Sequence, residues 1–255
     1  MSGSQKKGVT ERLEHRLETA EQTLAAFASR LAALERRAFS QNRHRWDLIE
    51  KIADYFRGAQ VAGDYAEFGV FRGETFAHAC KYMAPWFRDM HFWAFDSFEG
   101  LPAPRSSSDV DPASGYSGGF FQGQFACSEA AFRDYLCSRE VDMAKVHTVA
   151  GWFSDTLSAE ASAAHRLRKV ALAWIDCDLY ESTVPVLDFL TDRLSVGTVL
   201  VFDDWRCFRN LDDYGQRKAC QEWLGRNPHI KLNLLIDNDY NGYAFSVAAV
   251  GAAAT

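Results

Sequence analysis

The acids of this chain that could do chemistry together sit in two short stretches. Trp174-Ile175-Asp176-Cys177-Asp178-Leu179-Tyr180-Glu181-Ser182-Thr183 follows one apolar run, and Val201-Phe202-Asp203-Asp204-Trp205 follows another. A short, unbroken run of Val, Leu, Ala and Ile reads as a parallel strand buried on both faces, with its acid at the tip. Tips of neighbouring parallel strands lie about 5 Å apart, so Asp176 converges with Asp203 and Asp204. Carboxylates crowded at such a tip repel one another unless something neutralises them. A hard, oxygen-ligated divalent cation does this, and Mg²⁺ fits best. Cys177 faces away from the oxygen-lined side by strand alternation. Three of these acids also have a structural alternative: Asp178 as cap of the helix beginning near Glu181, Asp203 as ion-pair partner of Arg206 or Arg209, and Asp204 as a turn residue.

Three further strand ends carry informative residues. Glu67-Phe68-Gly69-Val70-Phe71-Arg72-Gly73-Glu74-Thr75 runs from a strand through a Gly-flanked turn into a helix. Gly69 and Gly73 allow a tight bend and close approach of a ligand, and the helix N-terminus offers free N–H groups to a carboxylate. The spacing is not G-x-G-x-x-G, so a dinucleotide fingerprint is absent. Phe95-Asp96-Ser97-Phe98-Glu99-Gly100-Leu101-Pro102 puts Asp96 where an acid can accept from a ribose diol, or where it can organise a turn. Gly151-Trp152-Phe153 supplies an aromatic pair that could flank a purine or cap the core. A glycine turn after one strand and an acid after the next point together to a nucleoside-bearing cofactor.

The elements that must position these groups alternate between short β-type runs and helical stretches, as in an α/β fold with a mostly parallel sheet. Strands are expected at Tyr65–Val70, His91–Phe95, Val146–Ala150, Val170–Ile175 and Thr198–Phe202. A terminal pair at Ile230–Ile236 and Tyr243–Val250 closes a seven-stranded sheet, through a turn-rich connection at residues 237–242. A helix is expected at about Thr75–Met83. The Pro/Ser/Gly/Asp-rich segment 101–124 is too long for a simple connection and reads as a lid over the strand ends.

Ahead of this domain, Leu13, Leu17, Ala20, Leu24, Phe27, Leu31 and Leu34 recur in alternating steps of four and three. That is the a/d seam of a coiled coil and favours a partner helix, hence a homo-oligomer. The helix is expected to continue through residues 39–55, with Trp46, Ile49, Ile52, Ala53 and Phe56 on one apolar face. The organisation is therefore a flexible tail at 1–10, a coiled-coil helix at 11–38, and a catalytic domain at 39–255. The net charge of −6 gives no basic surplus for nucleic acid. Hydrophobic content of 47% and charged content of 24% are those of a globular chain, not a disordered one. The six cysteines form no C-x-x-C or zinc-like spacing, and no uncharged apolar stretch is long enough to span a bilayer. These features place the protein in the cytoplasm.

Four of the motifs above, in order, resemble those of the macrocin O-methyltransferase (TylF-type) family: EFGVFRG at 67–73, DSFEGLP at 96–102, DCDLYEST at 176–183 and DD at 203–204. The resemblance spans about residues 65–248. It implies a Rossmann-like class I methyltransferase fold, S-adenosylmethionine as cofactor, Mg²⁺ held by aspartates, and a sugar hydroxyl of a glycan or glycosylated natural product as acceptor. It further implies that Glu67, Gly69 and Gly73 line the methionine end of the cofactor, with Phe68, Phe71 and Thr75 in the same turn. Asp96 would hold the ribose, Ser97 would sit near the adenosine and Trp152 by the adenine. Asp176 would touch both cofactor and metal, and Asp176, Asp203 and Asp204 would bind Mg²⁺. Cys177 replaces a common glycine and Trp205 a tyrosine, without the usual Gly-rich turn after it.

A hydroxyl held on Mg²⁺ needs a base, and Asp176 is the candidate, with Asp178 as alternate. His147 and His165 are weaker candidates for that role. Two other functions stay open on these residues: a catechol-type O-methyltransferase acting on an aromatic diol, and a non-catalytic cofactor-binding scaffold organised by the coiled coil.

Overall fold

The computed structural model describes the backbone of residues 3–162, 165–238 and 242–251; for helical residues 3–14, 31–41, 159 and 162 the backbone alone is described. The chain divides into two compact units, Met1–Arg43 and His44–Thr255. Helix α1 spans Gly3–Ala59. It is already helical over 3–10, where a flexible tail was expected, and residues 1 and 2 lie outside the described residues.

The larger unit is a seven-stranded sheet in the order β3-β2-β1-β4-β5-β7-β6. The strands are β1 (Asp64–Phe68), β2 (Phe92–Asp96), β3 (Val146–Ala150), β4 (Val170–Ile175), β5 (Val199–Phe202), β6 (Ile230–Asp237) and β7 (Tyr243–Val250). β1 to β5 pair in parallel, and β7 joins β5 and β6 antiparallel. The expected strands all form, with shifts of one or two residues at their ends. Of the turn expected at 237–242, residues 239–241 lie outside the described residues.

Helices α2 (Glu74–Met83), α3 (Glu129–Ser138), α4 (Phe153–Thr156), α5 (Ala159–Ser162), α6 (Tyr180–Leu190) and α7 (Gly215–Arg226) complete the fold. One sheet face is covered by α1, through Leu48, Ile49, Ile52, Ala53 and Phe56, together with Phe76 and Ala79 of α2 and Phe132 and Leu136 of α3. The other face takes Val186, Leu187 and Leu190 of α6 and Ala219, Cys220 and Trp223 of α7. β4 is buried at every position, which explains why its sequence shows no alternation.

The strand order reverses at β1, whose neighbours are β2 and β4. In open α/β sheets the crevice at such a point, beyond the carboxyl ends of the strands, is where ligands bind. Register makes four strand tips level there. Phe68 lies opposite Phe95 and Ile175, and Ile175 lies opposite Phe202. Backbone hydrogen bonds carry the ladder one residue further: Gly69 N–H to Phe95 O at 2.9 Å, Asp176 N–H to Phe68 O at 2.9 Å, and Asp203 N–H to Ile175 O at 3.0 Å. Asp96, Gly69, Asp176 and Asp203 therefore stand in one row.

Candidate active site

The turn after β1 is built around Gly69. Its φ is +88°, and a Cβ there would meet the carbonyl oxygen of Asp176 at 1.9 Å, so only glycine is accommodated. Asp96, at the tip of β2, braces the same turn. One carboxylate oxygen accepts from Val70 N–H at 2.7 Å and Phe71 N–H at 3.3 Å, and the other from Phe98 N–H at 2.7 Å. Burial raises its pKa and these three N–H groups lower it. The carboxylate is partly exposed, and of its about four lone-pair sites the one left, on the oxygen facing Phe98 N–H, can accept from one ribose hydroxyl. Ser97 Oγ donates to Gly100 O at 3.0 Å, closing the next turn. α2 begins at Gly73 with no side chain capping its first N–H groups, and Thr75 is buried in its first turn. Phe71 is more than a third exposed and packs edge-on to Phe125. Phe68 stacks on Phe95 in the core beneath the turn. Trp152 is half-buried at the start of α4, whereas its neighbour Phe153 packs against Phe68.

Glu67 is buried on β1 and accepts a short hydrogen bond from Tyr65 Oη. Burial holds its pKa well above the usual carboxylate range; Tyr65 and Arg45 oppose the shift, and Asp176 adds to it.

The acids sort into two groups. Carboxylate oxygens of Asp176, Asp178 and Asp204 all lie within 4.8 Å of one another. Asp178, in a left-handed conformation at φ 61°, donates its N–H to Asp204 Oδ2 at 3.1 Å. Gln216 of α7 clamps the tips by accepting from Asp204 N–H and donating to Ile175 O, both at 3.0 Å. Burial pushes the pKa values of Asp176, Asp178 and Asp204 well above the usual carboxylate range, and their mutual repulsion adds to it. Two buried carboxylates and the partly exposed Asp176, converging in this way, form a donor set that suits a hard divalent cation.

Asp203 points to the α1 face and meets Arg45. Arg45 Nε donates to both Asp203 oxygens at 3.0 and 3.2 Å, Nη2 makes a short bond to Oδ2, and the guanidinium lies 3.4 Å from Asp176. Burial alone would lower the pKa of Arg45, but Asp176 and Asp203 more than reverse this. The triad expected at Asp176, Asp203 and Asp204 and the group the side chains form thus share two members, with Asp178 in the place of Asp203. Arg206 instead pairs with Asp237, and Arg209 lies over Tyr116.

Asp178 does not cap α6, which starts from Leu179. The fully buried Asp109 of the long loop does so, accepting from Tyr180 N–H at 2.6 Å and Glu181 N–H at 3.2 Å. Ser108 accepts from Lys218 Nζ at 2.8 Å through its hydroxyl and from Gly215 N–H at 2.9 Å through its carbonyl. Further along, Phe120 packs on Phe208 and Tyr116 lies under Arg209. The segment expected as a lid is therefore anchored to α6 and α7 beside the acids. Phe208, Arg209 and Asn210 form three consecutive left-handed residues, at φ 57°, 59° and 58°, without a glycine. Each such residue costs about 1–2 kcal/mol, so this anchor point is strained. Trp205 packs against Phe202 and Phe245.

Arg45, Gln216 and Asp109 escaped the sequence reading. Two of them carried a signal. Arg45 lies in helical register with Leu48, Ile49, Ile52 and Phe56, and Gln216 with Ala219, Cys220 and Trp223, so each is a polar residue on a buried stripe. Asp109 lies in a loop and had none. His147 bonds to His91 and stacks on Trp93 at the start of β3, and His165 bonds to Thr156 O; neither faces the acids.

Strand order, the reversal at β1 and the level row of tip residues define the class I methyltransferase fold. The O-methyltransferase NovP shares it, with a TM-score of 0.62 at 26% identity over 80% of each chain. The calicheamicin methyltransferase CalS11 shares it with a TM-score of 0.61 at 23% identity, also over 80% of each chain. The macrocin O-methyltransferase (TylF) family model matches residues 20–227, and the chain belongs to that family. Demethyldecarbamoylnovobiocin O-methyltransferase of Streptomyces niveus is 31% identical over 67% of this chain. A tetracenomycin-C rhamnosyl 4'-O-methyltransferase of Streptomyces olivaceus is 31% identical over 68%. The match spans 64% and 66% of those two relatives, a little under two thirds of their length.

Proposed function

We propose that the protein transfers a methyl group from S-adenosylmethionine to a sugar hydroxyl of a glycosylated small molecule, with Mg²⁺ at the acidic strand tips. The observation that carries this reading is the convergence of Asp176, Asp178 and Asp204 beside the glycine turn of β1. Family membership and the rhamnosyl-bearing acceptor named for the Streptomyces olivaceus relative support the acceptor class.

The Gly69 turn, the uncapped start of α2 and Asp96 fit the amino-acid and ribose parts of the cofactor, and the carboxylate group fits the ion. When bound, the cofactor supplies an electrophilic methyl on sulfur, and the ion lowers the pKa of a coordinated hydroxyl. Asp176 and Asp204 hold the ion. Asp178 would be the third carboxylate as the side chains stand, and Asp203, held by Arg45, would be a further candidate. Asp176 Oδ would accept the hydroxyl proton, with Asp178 as the alternate acceptor, while the methyl passes from sulfur to oxygen and the cofactor leaves as a thioether. Arg45 neutralises Asp203 and, at 3.4 Å, partly offsets the charge of Asp176. The loop 101–124, anchored to α6 and α7, borders the site.

The N-terminal helix serves self-association, through the four-three seam that begins at Leu13. Side chains of Leu13, Leu31 and Leu34 lie outside the described residues; Leu17, Ala20, Leu24 and Phe27 are exposed in the single chain. All six cysteines are free thiols, which suits a reducing cytoplasmic setting. Among the described residues, no helix is long and apolar enough to cross a membrane.

Methyl transfer to glycosylated acceptors, measured with and without EDTA, tests the proposal. Activity that chelation abolishes and Mg²⁺ restores supports it. Activity indifferent to EDTA removes the metal, and transfer only to catechols replaces the acceptor.

A further inference from the structure

The helix of the smaller unit exposes Leu17, Leu24 and Phe27 at 61%, 68% and 69% on one stripe. Water-facing residues of this size in a regular seam are a docking face. Heptad positions follow directly: Leu17 and Leu24 at a, Ala20 and Phe27 at d. The flanking positions then fall on Arg16 and Arg30 at g, and on Glu21 and Glu35 at e.

In a parallel, in-register pair, a g residue faces the e residue five positions further along the partner helix. Arg16 then faces Glu21 and Arg30 faces Glu35, each pair twice by symmetry. The g–e pair between them is Thr23 with Ala28, which is uncharged, and Thr23 Oγ1 is already satisfied by Thr19 O at 2.8 Å. An antiparallel pair would instead set g against g and e against e, placing arginine on arginine and glutamate on glutamate. The charges thus discriminate between the two orientations. We infer that the occupant of this stripe is a second copy of the same chain, docked parallel and in register, with Arg16–Glu21 and Arg30–Glu35 pairs fixing the orientation. The inference rests on the proposal that this helix self-associates, and adds the partner's direction and register.

The test uses the full chain carrying Cys137→Ser, which removes an exposed thiol. Light scattering should give twice 28.7 kDa, and a mass of one chain would overturn self-association itself. Leu17→Cys and Leu24→Cys, made separately, should each form a covalent dimer under oxidised glutathione, because both positions meet their own copies only in a parallel, in-register pair. An antiparallel pair can bring at most one of these positions onto itself. A dimer that cross-links at neither or only one therefore overturns the orientation while self-association stands. Arg16→Glu with Arg30→Glu should weaken dimerisation by about 10-fold or more, as four attractive pairs become repulsive. Adding Glu21→Arg and Glu35→Arg should restore it. Loss without restoration, or no loss, overturns the charge assignment.

Discussion

Arg45→Met separates two consequences that run in opposite directions. In the metal-free protein, Arg45 is the cation held against Asp203, which is only 3% exposed, and it also lies 3.4 Å from Asp176. Unit charges about 4 Å apart attract by about 4 kcal/mol at an effective dielectric near 20, and part of this offsets the desolvation of both groups. Removing one partner leaves the other buried and uncompensated, which costs about 3–5 kcal/mol. The Arg45 side chain is a quarter exposed and water can reach the gap, so about 3 kcal/mol is expected in EDTA, read from urea unfolding. Asp203→Asn should cost less, because Arg45 keeps Asp176. The double variant should cost less than the sum of the singles by about 2 kcal/mol. The same loss of positive charge should tighten Mg²⁺ binding by about 10-fold in calorimetry, because Asp203 becomes available and a repelling cation is gone. Additive stabilities, or Mg²⁺ affinity unchanged or weakened, would refute the role given to Arg45.

Other consequences follow from the same geometry. Asp109→Ala removes the cap of α6 and should cost about 1–2 kcal/mol in chemical unfolding, with greater protease sensitivity confined to loop 101–124. Gly69→Ala should fail to accumulate as folded protein on expression, because its methyl would meet the Asp176 carbonyl oxygen at 1.9 Å. Asp176, Asp178 and Asp204 have folded pKa values above their unfolded ones, so the native state binds extra protons between those values. Their contribution to stability therefore falls as pH rises from about 4 through the raised pKa values. In EDTA, Asp178→Asn with Asp204→Asn should flatten the decline of Tm between pH 5 and 8, and an unchanged slope would show that the cluster is not its source.

Much of this fold was legible because strand tips and sequence runs coincide. Val170–Ile175 and Val199–Phe202 could hardly be anything but buried strands, and their next residues had to be tip acids. The Gly69 turn and Asp96 followed from the same rule. What stayed hidden depended on long-range partners. Asp203 could be read as an ion-pair acid, but its partner, 158 positions away on α1, could not be found from neighbours such as Arg206 and Arg209. The exchange of Asp203 for Asp178 in the carboxylate group follows from sheet sidedness and a left-handed φ at Asp178, neither of which periodicity encodes. The capping of α6 by Asp109 required knowing how a long loop returns across the strand ends.

The central claim is that the strand-tip carboxylates serve an ion that activates a sugar hydroxyl for methylation. Its most direct measurement is transfer of labelled methyl from S-adenosylmethionine to a panel of glycosylated small molecules, for the wild type and Asp176→Asn, with EDTA and with Mg²⁺ restored. The account predicts labelled sugar from the wild type with Mg²⁺, loss of at least about 100-fold on chelation, and comparable loss in Asp176→Asn whatever the Mg²⁺ concentration. Methylated sugar formed at full rate in EDTA, or by Asp176→Asn, would contradict it.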